Sequence, residues 1–148
     1  MGGYGALNLG MKHPEIFSTC ATLSAAVRTD QMLEEMDNDR YLSFFQPIYG
    51  GSKNKRVTNY WKKNNVFHQL DSVPLEKVKQ IRWYIDCGDD DYLSEGNCML
   101  HIKMLNMKIP HEFRVREGAH TWEYWKSGIV PALQFIDIFF RDVSFMSD

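Results

Sequence analysis

Three cysteines, five prolines and no long apolar run mark this 148-residue chain first by what they leave out. Cys20, Cys87 and Cys98 are an odd number in mostly apolar settings, which argues for buried free thiols and against a disulfide framework. The most apolar stretch, IVPALQFIDIFF, is too short to span a bilayer and is broken by Pro131, Gln134 and Asp137, so no membrane partner is expected. Lysine and arginine number 17 against 19 acidic residues, for a net charge of -2, and apart from the run Lys53 to Arg56 the basic residues are scattered. Nucleic acid is therefore not an expected partner. The opening residues show neither the charged-then-apolar pattern of a secretory signal nor a myristoylation site, since Ala6 stands where Ser or Thr would be needed. No His and Cys spacing matches a zinc site, and neither dinucleotide nor P-loop glycine pattern occurs, so neither metal nor cofactor is expected. The most informative absence is at the start. The chain opens MGGYGALNLGMKHPEIF, a glycine-rich turn running straight into an amphipathic helix with no strand ahead of it.

What is present is a globular composition, 44% hydrophobic and 24% charged, which with the length predicts a single domain over 1–148. Tyr4, Leu7 and Met11 recur at helical spacing up to His13, whose neighbour Pro14 disfavours further helix. CATLSAAV follows as a short strand suited to burial on both faces. Residues 28–80 are longer, more polar and mixed, a helical and loop excursion between strands that could form a cap; YWKKN within it is a candidate for substrate contact or a surface helix with one anchoring aromatic. IRWYIDCG reads as a strand with Ile81, Trp83, Ile85 and Cys87 on one face. Cys98, Ile102 and Leu105 mark a helix, HEFRV alternates as a strand, and Trp122, Trp125, Ile129, Ala132, Ile136 and Phe139 predict the buried stripe of a last helix that Pro131 starts or kinks. This order is an α/β pattern and implies parallel strands joined by crossovers.

Ligands of open parallel sheets bind at the carboxyl ends of strands, so the loops after the predicted strands come first. One carries Asp89, Asp90 and Asp91; another, REGAHTW, places His120 directly before a helix. An acid at one strand end and a histidine at the next is the supporting pair of a nucleophilic triad, in which the acid orients the imidazole and the imidazole moves the proton. The nucleophile should come earlier in the chain, on a G-x-S-x-G elbow between strand and helix. Laid on the opening, that pattern makes Gly2 the final glycine and Met1 the residue after the serine, with the serine itself falling just before Met1. Ser24 and Ser94 lack the glycine two residues earlier that an elbow requires, and Cys20 lies at a strand start in an apolar setting that raises its pKa and makes it inert, so none substitutes.

Together MGGYGALNLGMKHPEIF, IDCGDDDYL and GAHTWEYW resemble the C-terminal half of the putative-esterase family of α/β-hydrolases, which includes esterase D, feruloyl and acetyl-xylan esterases and mycolyltransferases. The resemblance implies a partial α/β-hydrolase fold made of the last three mostly parallel strands with flanking helices. Its G-x-x-D-x-L pattern, aligned on Gly88 to Leu93, selects Asp91 as the triad acid, and its histidine loop selects His120. Met1 and Gly2 become the remnant of the elbow and oxyanion site, and Trp122 the aromatic expected to reach the substrate pocket. The implied activity is carboxylic-ester hydrolysis through a serine acyl-enzyme, on acyl esters of sugars or other small-molecule alcohols and with no cofactor. With the nucleophile outside the chain, the expectation for these 148 residues alone is inactivity, and association either as a homo-oligomer or with the missing N-terminal half. One alternative is a non-catalytic binding or assembly module derived from an esterase, though such a module has no need of Asp91 and His120, and another, ranked below it, is a flavodoxin-like anion-binding domain using GGYG.

Overall fold

The computed structural model describes residues 1–144. Helix α1 (Gly2–Lys12) buries Leu7, Asn8, Gly10 and Met11 along one face and ends at His13, whose N–H closes on the Leu9 carbonyl. Strand β1 (Thr19–Leu23) follows. It stops four residues short of the expected CATLSAAV run because Ser24 turns the chain at φ +50°, a conformation no strand residue adopts. The excursion is a chain of short helices: α2 (Asp30–Glu34), α3 (Asn38–Arg40), a π-helical turn over Tyr41–Phe45, α4 (Gln46–Tyr49), α5 (Asn59–Asn64), α6 (Val66–Ser72) and α7 (Leu75–Lys79). Thr58 caps α5 by accepting from the Trp61 N–H at 3.0 Å, and Asn65 caps α6 by accepting from Phe67 at 2.9 Å. Then come β2 (Arg82–Gly88), α8 (Ser94–Asn106), β3 (His111–Arg116) and α9 (Trp122–Ser144).

The three strands form one parallel sheet in the order β1-β2-β3, with Leu23 opposite Asp86 and Gly88 opposite Arg116. Central β2 is buried on both faces, as parallel strands between helical layers are. Trp83 and Ile85 join Leu7 and Met11 of α1, Leu70 of α6, and Leu100 and Met104 of α8 in the main core. Each such side chain, fully withdrawn from water, contributes about 2 kcal/mol. On the opposite face Tyr84 packs against Phe135 of α9, ring centroids 5.3 Å apart. The excursion has a small core of its own, Leu33, Tyr41 and Trp61. Beside it the buried Arg56 guanidinium donates to the Leu33 and Met36 carbonyls and to Asn38 Oδ1, and stacks 4.6 Å from the Tyr41 ring centroid.

Both long helices turn a different face inward from the one their large apolar residues suggest. In α8 the buried positions are Gly96, Asn97, Leu100 and Met104, while Ile102 and Leu105 are exposed. In α9 they are Tyr124, Gly128 and Ala132; Trp122 and Ile129 face outward, and Pro131 lies inside a continuous helix. The reason is close approach. A Cβ on Gly128 would come within 2.6 Å of Arg116 and 3.2 Å of Leu23, so α9 can approach the sheet this closely only with a glycine at that position. Among the described residues no helix is long and apolar enough to cross a membrane, and all three cysteines are free. Burial pushes the Cys20 thiol up to about 12, which keeps it a thiol at neutral pH.

Candidate active site

The loops after β2 and β3 meet at two glycines. A Cβ on Gly88 would lie 2.0 Å from the Gly118 carbonyl oxygen, and Gly118 itself sits at φ +139°, a conformation open to glycine. Backbone bonds stitch the loops together, Asp89 N–H to the Arg116 carbonyl at 3.0 Å and Asp90 N–H to the Gly118 carbonyl at 3.1 Å. Asp89 completes the joint by accepting from the Gly118 N–H at 2.9 Å. Two of the three adjacent aspartates therefore use their main or side chains to hold the loops, and the third is free for other partners.

That third residue is Asp91, buried. Its Oδ1 accepts from the Leu93 N–H at 2.9 Å and its Oδ2 lies 2.9 Å from His120 Nδ1. Burial alone would raise the Asp91 carboxyl, but hydrogen bonds from the Ser24 hydroxyl, the Leu93 N–H and His120, together with the charge His120 can carry, outweigh it and hold the carboxyl below its ordinary range. A carboxylate can only accept, so Nδ1 carries the proton of this bond, and in the neutral ring Nε2 is then the nitrogen with the lone pair. The imidazole is clamped between Tyr92 and Trp125, each ring centroid 4.8 Å away. Trp125 in turn donates from Nε1 to Ser24 Oγ at 3.0 Å. A sensitive, oriented base is what this arrangement can supply. Among the described residues no serine or cysteine is hydrogen-bonded to His120 Nε2.

Below the site lies a second carboxylate. Asp86, fully buried on β2, accepts from Arg116 Nε and Nη2 at 3.0 and 3.1 Å, from the Tyr124 hydroxyl at 2.5 Å and from the Tyr84 hydroxyl at 3.3 Å. Arg116 also stacks 4.2 Å from the Tyr124 ring centroid. Arg116 precedes the His120 loop and Tyr124 follows it, so this knot ties both ends of the loop to β2.

The remaining sequence-predicted residues fall as follows. Met1 and Gly2 begin α1, where the exposed Met1 borders an apolar cavity of about 240 Å³ walled by Tyr4, Phe44, Phe45, Tyr49 and Trp61. Trp122 is 70% exposed and touches Trp125 edge-on at 5.2 Å; Trp125, not Trp122, is the tryptophan on His120. In YWKKN, Trp61 is the buried anchor and also lines the cavity, while Tyr60 faces out. Sequence reasoning weighed Ser24 only as a nucleophile and missed its place between Asp91 and Trp125. Its partner Trp125 lies 101 residues away, and no local pattern signals the link.

A family model described as Putative esterase matches residues 1–136. The chain belongs to this esterase family. An acetyl esterase of Caldicellulosiruptor saccharolyticus is 27% identical over 140 residues, which is 92% of this chain and 51% of that relative. Among solved structures, a ferulic acid esterase superposes with a TM-score of 0.66 at 30% identity, over 92% of this chain and 47% of its own. FphF, a fluorophosphonate-binding serine hydrolase of Staphylococcus aureus, shares the fold with a TM-score of 0.67 at 22% identity, over 90% of this chain and 50% of its own. The α/β-hydrolase architecture is thus established for this esterase-family chain, which spans about half the length of each of these relatives.

Proposed function

We propose that this chain carries the acid and histidine of a serine carboxylesterase, with the nucleophile supplied from outside residues 1–148. His120 acts as general base toward the serine and then as general acid toward the leaving alcohol, through Nε2. Asp91 fixes the tautomer and stabilises the imidazolium that forms, and the turn at Met1 and Gly2 contributes backbone N–H groups to the oxyanion site. The observation that carries the reading is the 2.9 Å bond between buried Asp91 and His120 at the carboxyl ends of adjacent strands in an esterase-family chain. The names of two relatives, an acetyl esterase and a ferulic acid esterase, support acyl esters of sugars or other alcohols as the substrate class.

Loss of a triad nucleophile lowers the rate on the order of 10⁶-fold. The 148-residue chain should therefore hydrolyse 4-nitrophenyl acetate no faster than background, while joining it to a preceding strand and G-x-S from a relative should restore turnover that fluorophosphonates block. Fluorophosphonate-sensitive turnover by the 148 residues alone would overturn the assignment of the nucleophile. Exposed Ile129, Val130 and Leu133 on α9 support a further expectation, that this face is covered by the other half or by a second copy. A stable monomer in light scattering of the same preparation would count against it.

A further inference from the structure

Among the described residues, Arg28 is the one charged side chain lining the apolar cavity beside Met1. It is partly buried, its guanidinium 5.4 Å from the centroid of the Phe45 ring, and among the described residues it has no carboxylate partner. Its backbone carbonyl is taken by Asn65 Nδ2 at 2.7 Å, which fixes where the side chain starts. Arg28 also borders a groove of about 350 Å³ that reaches Tyr92, whose ring lies tilted against His120 with centroids 4.8 Å apart. Glu35, Asp37 and Glu95 also line that groove, yet none of them pairs with Arg28, and the charged neighbour that acts on it most is another cation, Arg40. Burial and then Arg40 both push the Arg28 guanidinium down from its ordinary value. Withdrawn charges in folded proteins are paired, because an unpaired one forfeits hydration without return. Arg56, 28 residues on, shows the usual solution, with carbonyls and an amide around it. Arg28 has instead an aromatic face, a like charge and an open cavity.

We infer that Arg28 is an anion anchor, and that the cavity between α1 and the excursion takes a ligand with an apolar, phenyl-sized body and a carboxylate. This deepens the esterase reading and rests on it for the word substrate: the preferred esters would bear a second, free carboxylate on the arm that enters the cavity. A guanidinium stacked on a ring keeps its N–H edge directed and engages a carboxylate through two parallel hydrogen bonds, which a neutral isostere cannot reproduce. Aromatic walls from Phe44, Phe45, Tyr49 and Trp61 receive the apolar body.

Binding needs no nucleophile, so the test separates this inference from the catalytic one. Isothermal titration of the 148-residue chain with 4-phenylbutanoate and with 4-phenylbutanamide should show the acid binding at least tenfold more tightly, with the preference falling as salt is raised. Arg28→Met should abolish the preference and Arg28→Lys should keep part of it, with far-ultraviolet circular dichroism reporting that each variant is folded. Equal affinity for acid and amide in the unmodified chain would overturn the inference, as would a preference that survives in a folded R28M, or no binding of either compound at millimolar concentration. The acid-against-amide comparison in the unmodified chain decides the matter even where a variant fails to fold.

Discussion

Two buried aspartates, five residues apart, meet opposite ends of the same problem. Asp86 is surrounded by an arginine and two phenols, and every partner is a donor that keeps its proton at neutral pH. Burial, followed by the bond to Asp86, pushes the Tyr124 hydroxyl well above its ordinary value, so that donor keeps its proton at neutral pH. Asp91 has a backbone N–H, a hydroxyl and an imidazole, and an imidazole can donate from one nitrogen while accepting at the other. The difference lies in the partner and in access. His120 keeps about a quarter of its side chain exposed, whereas Asp86 and its phenols are sealed between β2 and α9. One carboxylate holds both ends of a loop, and the other meets the histidine at the end of that loop, which on the proposed function is the base it steers.

The contrast is broken most forcefully at Asp86. Asp86→Ala leaves Arg116 without its counter-charge and two phenols without an acceptor. Removing one partner of a buried pair costs about 3–5 kcal/mol, and because Arg116 is 29% exposed it can turn partly to water, so the lower end, about 3 kcal/mol, is expected. Urea unfolding followed by circular dichroism measures it; a loss under 1 kcal/mol would mean that the knot does not anchor the loop.

A smaller effect, and one with a pH signature, is expected at Asp91. Its folded-state carboxyl lies below the ordinary range near 4, so the unfolded chain takes up the proton first as pH falls. The stability it contributes is present in full above the unfolded value and is lost as pH drops through the lower, folded value. Asp91→Asn removes that contribution, so the stability gap between parent and variant, about 1–2 kcal/mol at pH 7, should close as the pH falls below the ordinary carboxylate range near 4. Nitrogen chemical shifts of His120 should also move from the Nδ1–H tautomer to a mixture. A gap that stays constant with pH would show that the carboxylate's charge is not what the site stabilises.

How far such pairings can be read from sequence depends on whether their signal is local. Asp91 and His120 could be named because each sits in a short pattern, Gly88 to Leu93 and Gly118 to His120, at the end of a β-rich run. The parallel order of β1, β2 and β3 followed from alternating elements in the same way. Ser24 and Trp125 could not be paired, since 101 residues separate them and the turn at Ser24 depends on a positive φ that serine does not advertise. The inward faces of α8 and α9 were hidden for another reason. Periodicity marked Ala132 of α9 along with large apolar residues that face outward, but not Gly128, which meets the sheet, or Asn97 of α8, which bonds the Ala25 carbonyl just past β1. Small and polar residues at tight contacts carry little hydrophobic signal and much geometric information.

The smallest effect sharpens the same lesson at the two tryptophans. Trp122 is the outer ring, 70% exposed, and its described contact is the edge of Trp125. Trp125 is the inner ring, edge-on to His120 and bonded to Ser24, which itself bonds Asp91. Trp122→Ala should lower stability by about 0.5 kcal/mol, the value of one exposed aromatic pair, and leave the nitrogen shifts of His120 where they are. Trp125→Ala removes a ring that packs on the imidazole and a donor that Ser24 accepts, so it should cost about 2 kcal/mol and shift the His120 resonances. Equal losses from the two changes would mean that the outer ring, through its partner, carries the contact with the histidine loop, and that exposure is a poor guide to which tryptophan this site depends on.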